Sequence, residues 1–197
     1  MVYHKENGTQ VQKDEQELQA IIACQKGVSE AYRYLVEKYQ SRAYYGALIY
    51  THNRDDALDL SQEAFYRAYK AIKRFDPDKY FYTWFYKILK NICLNYVRFR
   101  EVRQQNRQSM GDEKNFIDPG STEQPDELFE KSEQTQIIWQ AIQGLDEKSW
   151  EIILLKEFND MSYQEIAEVL DIPLGSVMSR LYYARRKLLK ELEWLND

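Results

Sequence analysis

The 197-residue chain contains few of the residues that break helices or cross-link a fold: two cysteines, four prolines and seven glycines. Cys24 and Cys93 are too few for a disulfide framework or a zinc site, and His4 and His52 add no ligand cluster. The scarcity of glycine and proline, with no regular strand alternation, predicts an all-α fold. We therefore expect a reduced protein that binds no metal and no other cofactor.

Long apolar runs are also missing from the sequence. No run approaches the roughly 20 residues that a helix needs to span a bilayer. The first 16 residues are polar and lack the apolar segment of a signal peptide. A cytoplasmic protein without membrane insertion is expected.

The formal net charge of -5 is spread unevenly along the chain. Residues 15–103 carry 15 Lys and Arg against 11 Asp and Glu, whereas residues 108–135 carry two basic residues against eight acidic ones. The most basic stretch is 79–103, with six basic residues against Glu101 alone. Because local charge decides where a polyanion binds, the acidic total does not exclude nucleic-acid binding.

The composition divides the chain into four segments. Residues 104–135 have few aliphatic residues, two prolines and excess acid, which is typical of a flexible linker. Apolar residues at helical spacing occur on both sides of it. We therefore predict two small helical domains joined by a flexible linker: a disordered tail over 1–14, a helical domain over 15–103, the linker over 104–135 and a second helical domain over 136–197.

Local signals predict two helix boundaries in the first domain. A break is expected near Gly27, with Ser29 as the N-cap of the next helix. Asp55 or Asp56 suits the positive N-terminal end of the helix that follows. With the helix that resumes at "FYTWFYKILKNICLNYVRFR", four helices are expected before the linker.

The stretch "MSYQEIAEVLDIPLGSVMSRLYYARRKL", which starts at Met161, has the pattern of a helix-turn-helix. Ser162 and Glu165 are spaced as a capping box at the start of one helix. Asp171 tolerates a left-handed conformation, and Pro173 fits the first turn of the next helix. That second helix is predicted to bury a stripe of Val177, Leu181, Ala184 and Leu188.

The buried stripe leaves polar and basic residues on the outward face of the second helix. Its N-terminal half, where a recognition helix meets base edges, presents Ser176, Ser179, Arg180 and Tyr182 or Tyr183. Arg185, Arg186, Lys187 and Lys190 follow at positions suited to phosphates. Basic residues near a helix C-terminus can also do no more than complement the helix dipole. The turn pattern before them favours DNA binding.

Together with the upstream "IQGLDEKSWEIILLKEFND", this stretch closely resembles the promoter-binding C-terminal domain (region 4) of bacterial RNA polymerase sigma factors, sigma-70 family, of the short extracytoplasmic-function (ECF) type. The resemblance covers roughly residues 140–192 and implies that the outward face binds the −35 promoter element. Met178 stands where family members usually carry Lys or Arg. One contact of the family pattern is therefore not expected here, and a different upstream sequence is implied.

A second segment, "DLSQEAF" from Asp59, resembles the part of sigma region 2 that docks on the clamp helices of the polymerase. Asp59, Gln62 and Glu63 are spaced to share one helical face, and the resemblance implies that they bind the polymerase. In isolation, such a charged face is more often simply solvated. Leu58 stands where many relatives have an acid, which weakens one part of this contact.

The third match is the segment "FDPDKYFYTWFYKILKNICLNYVRFR", whose inward stripe is predicted at Trp84, Ile88, Ile92 and Tyr96. Aromatic, amide and basic side chains on the other face suit unstacked bases and their backbone. The loop before Trp84 resembles the family's pocket for a flipped base of the −10 element. The resemblance implies −10 contacts by Tyr80, Tyr86, Lys87, Asn91 and Arg98. Taken singly, most of these aromatics would be expected in the core.

The family resemblance implies a transcription initiation factor and not an enzyme. Such a factor binds the RNA polymerase core through the β′ clamp helices and the β flap, recognises the −35 and −10 elements of promoter DNA and promotes promoter melting. An anti-sigma factor that masks both domains is a further implied partner.

Two other functions are compatible with parts of the pattern. A stand-alone helix-turn-helix transcriptional regulator would use its N-terminal helices to dimerise or to sense a ligand. A helical enzyme would use the carboxylates of Asp55, Asp56, Asp59 and Glu63. No Glu-x-x-His pair accompanies these carboxylates to complete a metal site.

Overall fold

The computed structural model describes residues 14–109, 140–142 and 144–196, and every regular element in these ranges is helical. The first domain contains α1 (Glu15–Gln25), α2 (Tyr32–Thr51), α3 (Arg54–Ala71) and α4 (Phe81–Ser109). Short 3-10 turns lie at Ser29–Ala31 and Ile72–Arg74. The second domain contains α5 (Glu147–Ile153), a π-helical turn at Leu154–Phe158, α6 (Tyr163–Leu170) and α7 (Leu174–Asn196). The predicted all-α fold is confirmed.

The segments predicted as a tail and a flexible linker lie mostly outside the described residues. Within the described part, the Asp14 carboxylate caps α1 by accepting hydrogen bonds from the backbone N–H groups of Gln16 and Glu17. Helix α4 continues through residues 104–109, into the segment predicted as linker. Helical structure therefore reaches further along the chain than the composition indicates.

Local signals place the end of α1 correctly but not the start of α2. Gly27 follows α1 with a φ of 95°, a left-handed conformation that glycine adopts without steric cost. Ser29 begins a 3-10 turn and caps no helix, because the N-cap of α2 is Ala31, without a side-chain hydrogen bond. The prediction for Ser29 is wrong because the N–H of Tyr32, the first residue of α2, is bonded to backbone carbonyls of the 3-10 turn, including that of Ser29. The side chain of Ser29 therefore does not act as the cap.

Helix α3 begins with the acidic turn that the sequence predicts. Asn53 is its N-cap and accepts a hydrogen bond from the N–H of Asp56 at 3.0 Å. Asp55 and Asp56 lie in the first turn, where carboxylates interact favourably with the positive end of the helix dipole.

Small side chains allow the helices of the first domain to approach closely. Helix α2 packs on both α3 and α4. Fully buried alanines lie along α2 and α3: Ala43, Ala47, Ala57, Ala64 and Ala68. Aromatic rings then fill the space toward α4, where Phe65 and Phe85 have ring centroids 4.5 Å apart. The first domain therefore has a mixed core of small and aromatic side chains.

The core face of α4 differs from the predicted one. Its buried side chains are Phe81, Tyr82, Thr83, Phe85, Tyr86, Leu89, Ile92 and Cys93. Of the predicted stripe, Ile92 is buried, Trp84 and Ile88 are half-buried against the core, and Tyr96 is half-buried, so the stripe lies at the edge of the buried face and not at its centre. Aromatic residues occupy several faces of this helix, and apolar spacing alone does not determine which face is buried.

The two domains pack against each other, and one apolar core cluster includes residues of both. Helix α5 contacts α2, and helix α6 contacts α4. Trp150 of α5 lies near His52 at the end of α2, with ring centroids 6.4 Å apart. We refer to this packing of α5 and α6 on α2 and α4 as the closed arrangement.

Candidate nucleic-acid interface

Helices α6 and α7 form the predicted helix-turn-helix. Ser162 Oγ accepts from the N–H of Glu165 at 3.2 Å, and the Glu165 carboxylate accepts from the N–H of Ser162 at 2.8 Å, which completes the capping box. Asp171 ends α6 in the left-handed conformation with a φ of 52°. The Pro173 carbonyl accepts from the N–H of Val177 in the first turn of α7. These local contacts set the angle at which α7 leaves the turn.

The faces of α7 divide into a buried stripe and an outward surface. Val177, Leu181 and Ala184 are buried, and Leu188 is half-buried, as the spacing predicts. The outward surface contains exposed Ser179, Arg180, Tyr182, Tyr183, Arg185 and Arg186, with Ser176 half-buried. The residue types expected to meet base edges are thus together on one accessible side of α7.

The basic residues near the middle of α7 also hold the second domain together. Arg185 donates from Nε and Nη2 to the Glu157 carboxylate at 3.0 and 2.7 Å. Lys187 pairs with Asp146, the N-cap of α5. A phosphate contact by Arg185 or Lys187 would therefore compete with an ion pair inside the domain.

Two further outward residues of α7, Leu174 and Met178, were not assigned from the sequence. Their side chains are 41% and 48% exposed, and Tyr182, one turn further on, is 57% exposed. The guanidinium carbon of Arg186 lies 5.9 Å from the centroid of the Tyr182 ring. The signal in the sequence is a second four-residue spacing of large apolar residues, outside the buried stripe.

The residues predicted to bind the −10 strand lie on α4 and the loop before it, but they differ in accessibility. Tyr80 is 40% exposed, and Asn91 and Arg98 are exposed. Lys87 is half-buried. Tyr86 is fully buried, so the prediction that it lies on an accessible face is wrong for the closed arrangement.

Both domains bury Tyr86: its ring packs against Gly46 of α2, and its hydroxyl reaches α5 of the second domain. Its hydroxyl donates to Glu151 Oε1 at 3.2 Å, the Lys90 ammonium donates to the same oxygen at 2.9 Å, and the Tyr50 hydroxyl is a third donor. Burial, and then the Glu151 carboxylate, raise the pKa of Tyr86 well above its ordinary value, so the hydroxyl stays protonated and can donate. Glu151, itself buried, thereby joins α5 to α2 and α4.

Carboxylates of α6 cover the neighbouring polar positions of α4. Lys87 Nζ pairs with Glu168 at 2.7 Å, and Thr83 Oγ1 donates to Glu165 at 2.9 Å. The hydrogen bond from Lys87 holds the pKa of Glu168 below its usual value. In the closed arrangement, acidic side chains thus occupy part of the surface on which a phosphate backbone is predicted to lie.

The residues predicted to bind the polymerase share one face of α3. Asp59 and Gln62 are exposed, and Glu63 is half-buried and pairs with Arg67 at 2.7 Å. Leu58 lies beside them and is 49% exposed. The face is therefore accessible and combines an acid, an amide and an apolar side chain.

The acidic start of α3 shows no arrangement of a metal site. Asp56 accepts from Arg100 of α4 at 3.4 Å, an ion pair that joins the two helices. Across residues 14–109, 140–142 and 144–196, no group of three or more potential ligands could hold a metal ion. In the same ranges, no helix is both long and apolar enough to cross a membrane.

Comparison with protein families defines the class of protein to which this two-domain helical chain belongs. The family described as Sigma-70 region 2 matches residues 35–103, and the family described as Sigma-70, region 4 matches residues 135–188. The second match contains α6 and the part of α7 up to residue 188. The class is therefore that of the sigma-70 transcription factors.

Similarity to individual named proteins identifies the type of sigma-70 factor. The chain is 32% identical to the RNA polymerase sigma-H factor of Pseudomonas aeruginosa, over 91% of this chain and 95% of that protein. It is 35% identical to the ECF RNA polymerase sigma-E factor of Escherichia coli K12, over 83% of this chain and 87% of that protein. The chain belongs to the sigma-70 family as an ECF-type sigma factor, which acts in transcription initiation. The match to both domains does not favour a stand-alone regulator.

Two solved structures share the fold. CnrH in complex with the cytosolic domain of CnrY aligns with a TM-score of 0.62 and 23% identity, over 91% of this chain and 98% of that chain. The sigma factor RpoE of Bartonella quintana, in complex with the anti-sigma factor NepR, aligns with a TM-score of 0.66 and 22% identity, over 82% and 96%. These similarities support the fold of two helical domains.

Proposed function

We propose that this sigma factor directs RNA polymerase core to promoters by dividing DNA recognition between its two domains. The second domain, over 136–197, places α7 in the major groove of the duplex −35 element. The first domain, over 15–103, holds the −10 element as a single strand along α4. The observation that carries the proposal is the outward face of α7, where Ser179 and Arg180 are exposed in the second turn of the helix that follows the capped α6.

The −35 and −10 surfaces consist of residues with different chemistry. On α7, the residues proposed to contact the −35 duplex are Ser176, Ser179, Arg180, Tyr182, Arg185 and Arg186. On α4 and the loop before it, aromatic, amide and basic side chains suit unstacked bases and their phosphates, and the residues proposed are Tyr80, Tyr86, Lys87, Asn91 and Arg98. We propose no catalytic residue and no cofactor, because the polymerase performs the chemistry.

Binding the −10 strand requires the closed arrangement to open. Tyr86 lies under α5, and the ammonium of Lys87 is neutralised by Glu168. Contacts of both domains with the polymerase would favour the separated state over the closed one, since a partner shifts the equilibrium toward the state that it binds. Because the two domains are linked in one chain, binding of one DNA element raises the effective concentration of the other domain at its own element. Neither DNA surface therefore needs to bind tightly alone.

The polymerase surfaces are proposed on both domains. Asp59, Gln62 and Glu63 on α3 would contact the β′ clamp helices, because an acidic face that also carries an amide suits a basic partner. The second domain would contact the β flap. The protein would act in the cytoplasm, where the polymerase is.

An anti-sigma factor is a further proposed partner. The RpoE chain that shares this fold was solved in complex with the anti-sigma factor NepR. A comparable partner of this chain would cover both domains and prevent their contact with the polymerase.

Two single substitutions in the full chain, assembled with core polymerase, test the division of DNA recognition. Arg180→Ala should weaken protection of the −35 duplex about tenfold, since a side chain that binds a base edge contributes about 1–3 kcal/mol. Asn91→Ala should leave that protection unchanged and should reduce the permanganate reactivity of thymines in the melted −10 element. Arg33→Ala, an exposed arginine on α2, is the matched control. Arg180→Ala and Asn91→Ala variants that both behave like the control would contradict the proposal.

A further inference from the structure

We propose that Leu174, Met178 and Tyr182 form an apolar strip on α7 that recognises the methyl groups of thymines in the −35 duplex. The inference rests on the proposed placement of α7 in the major groove. It adds a recognition chemistry, contact with thymine methyl groups, to the hydrogen bonds expected from the polar residues of the same face.

The three residues lie in one line along the helix. Their spacing is four residues, so each step advances about 6 Å along the helix axis. The strip therefore extends over about 12 Å, which is comparable to three or four base-pair steps. All three are at least 41% exposed, and they lie outside the buried stripe of Val177, Leu181 and Ala184. The closed arrangement leaves this strip accessible although it covers part of α4.

Positive charge beside the strip indicates which partner it fits. The guanidinium carbon of Arg186 lies 5.9 Å from the centroid of the Tyr182 ring. Lys190 is exposed further along the same helix. An apolar partner helix would bury these cations at a cost, whereas a DNA duplex places phosphates on both sides of the groove. The surface thus fits a DNA duplex, which has phosphates along the groove and apolar groups on the base edges inside it.

In the major groove, the apolar group that a protein can contact is the C5-methyl of thymine. The thioether side chain of Met178 has no hydrogen-bond donor for guanine or for a phosphate, but it adapts its shape to apolar partners. A thymine facing Met178 would therefore be preferred over cytosine. Burying one methyl group should increase affinity about fourfold.

Deoxyuridine substitution tests the strip without changing any hydrogen bond, because uracil differs from thymine only in the methyl group. Duplexes that bind the full-length sigma factor with core polymerase are first selected from a library randomised over the −35 region. Each thymine of the selected sequence is then replaced singly by deoxyuridine. At one or more positions, the wild-type complex should lose about fourfold in affinity, and the Met178→Ala complex should lose this sensitivity at one of them.

Two variants serve as controls for the substitution. Leu189→Ala removes an apolar side chain that is 56% exposed on the same helix but outside the strip, and it should keep the full sensitivity to deoxyuridine. Met178→Lys should change the preferred base at the facing position from thymine to guanine, since Lys donates to guanine O6 and N7. Circular dichroism should show equal helix content in all variants, because both positions are exposed.

The outcomes separate the strip from the proposed function. Selection of a specific duplex that is insensitive to deoxyuridine at every thymine would overturn the strip and leave the proposed function intact. Equal sensitivity of the wild type and Met178→Ala at every position would also overturn the role of Met178. Failure of the complex to select any upstream duplex would overturn the proposed function, and the strip would fall with it.

Discussion

Asp146 connects two parts of the second domain through a single carboxylate. One oxygen caps α5 by accepting from the N–H of Ser149 at 3.0 Å. The other accepts from the Ser149 hydroxyl at 2.8 Å and from the ammonium of Lys187 on α7. Lys187, and with it Ser149, lowers the pKa of Asp146 to about 2. The residue is thus both a helix cap and an ion-pair partner.

Two substitutions of Asp146 should separate these roles. Asp146→Ala removes both and should lower the free energy of unfolding by about 1 kcal/mol at neutral pH, mostly through the lost cap. Asp146→Asn keeps an oxygen that can cap α5, and it should lose less because a solvent-accessible ion pair contributes little. Urea unfolding measures both changes. Equal losses in the two variants would show that the cap is not the main contribution.

The pH dependence of Asp146 has a definite sign. Its folded-state pKa lies below the ordinary value of 3.8, so the ionised form is favoured by folding. The stabilisation is complete above the ordinary value and is lost as the pH falls through about 2. The difference in thermal midpoint between the wild type and Asp146→Asn should therefore be constant near neutral pH and decrease in strong acid. A difference that grows with acidity would contradict this assignment.

At the scale of elements, the crossing of α2 and α4 depends on Gly46. A Cβ atom built at this position would lie 3.0 Å from Leu89 Cδ2 and 3.0 Å from Tyr86 Cε2. Tyr86 and Leu89 are fully buried and have little room to move. The absence of a side chain at Gly46 therefore allows the close approach of the two helices.

Gly46→Ala should destabilise the first domain by about 1 kcal/mol net, since the strain of overpacking exceeds the gain in helix propensity. Gly175→Ala in the first turn of α7 is the matched control, because no atom lies within 4 Å of a Cβ built there. The control should be neutral or stabilising by roughly 0.5 kcal/mol. Urea unfolding of the full chain measures both. A stabilised Gly46→Ala variant would mean that α4 can shift away from α2.

The elements that the sequence predicts well depend on local contacts. The capping box of α6 is a contact between Ser162 and Glu165, three residues apart, so its pattern is visible in the chain. The buried stripe of α7 repeats at helical spacing and follows a distinct turn, and it is predicted correctly. The left-handed Asp171 is likewise a local preference of the residue type.

The face of α4 could not be predicted because it depends on contacts between distant residues. The Tyr86 ring packs against Gly46 of α2, and its hydroxyl donates to Glu151, which lies 65 residues further along the chain in the other domain. Lys87 is paired with Glu168, 81 residues away. A helix with aromatic residues on several sides has no single apolar spacing, and the packing of α2, of α3 and of the second domain selects the buried side.

At the scale of the whole molecule, Glu151 holds the closed arrangement together. Its carboxylate accepts from Tyr50 on α2 and from Tyr86 and Lys90 on α4. Removing it leaves two buried tyrosine hydroxyls and a partly buried ammonium without their acceptor, which costs about 1–3 kcal/mol for each buried group. Because the helices within each domain do not depend on Glu151, the loss of these hydrogen bonds should weaken the docking of the two domains and not the folding of either one.

Glu151→Ala should therefore separate the domains without unfolding them. The radius of gyration measured by small-angle X-ray scattering should increase, while the helix content measured by circular dichroism stays the same. Glu147→Ala, an exposed acid in the first turn of α5, is the matched control and should leave both values unchanged. An unchanged radius for Glu151→Ala would show that other contacts suffice to keep the domains docked.

The most direct test of the account adds the full-length protein to RNA polymerase core on a library of templates with randomised promoter regions. Because one domain is proposed to bind a duplex element and the other a melted one, transcripts should start at a fixed distance from a shared pair of motifs. Core polymerase alone should give no such class of transcripts. If adding the protein leaves transcription the same as with core polymerase alone, with no discrete start site on any template, the account is contradicted.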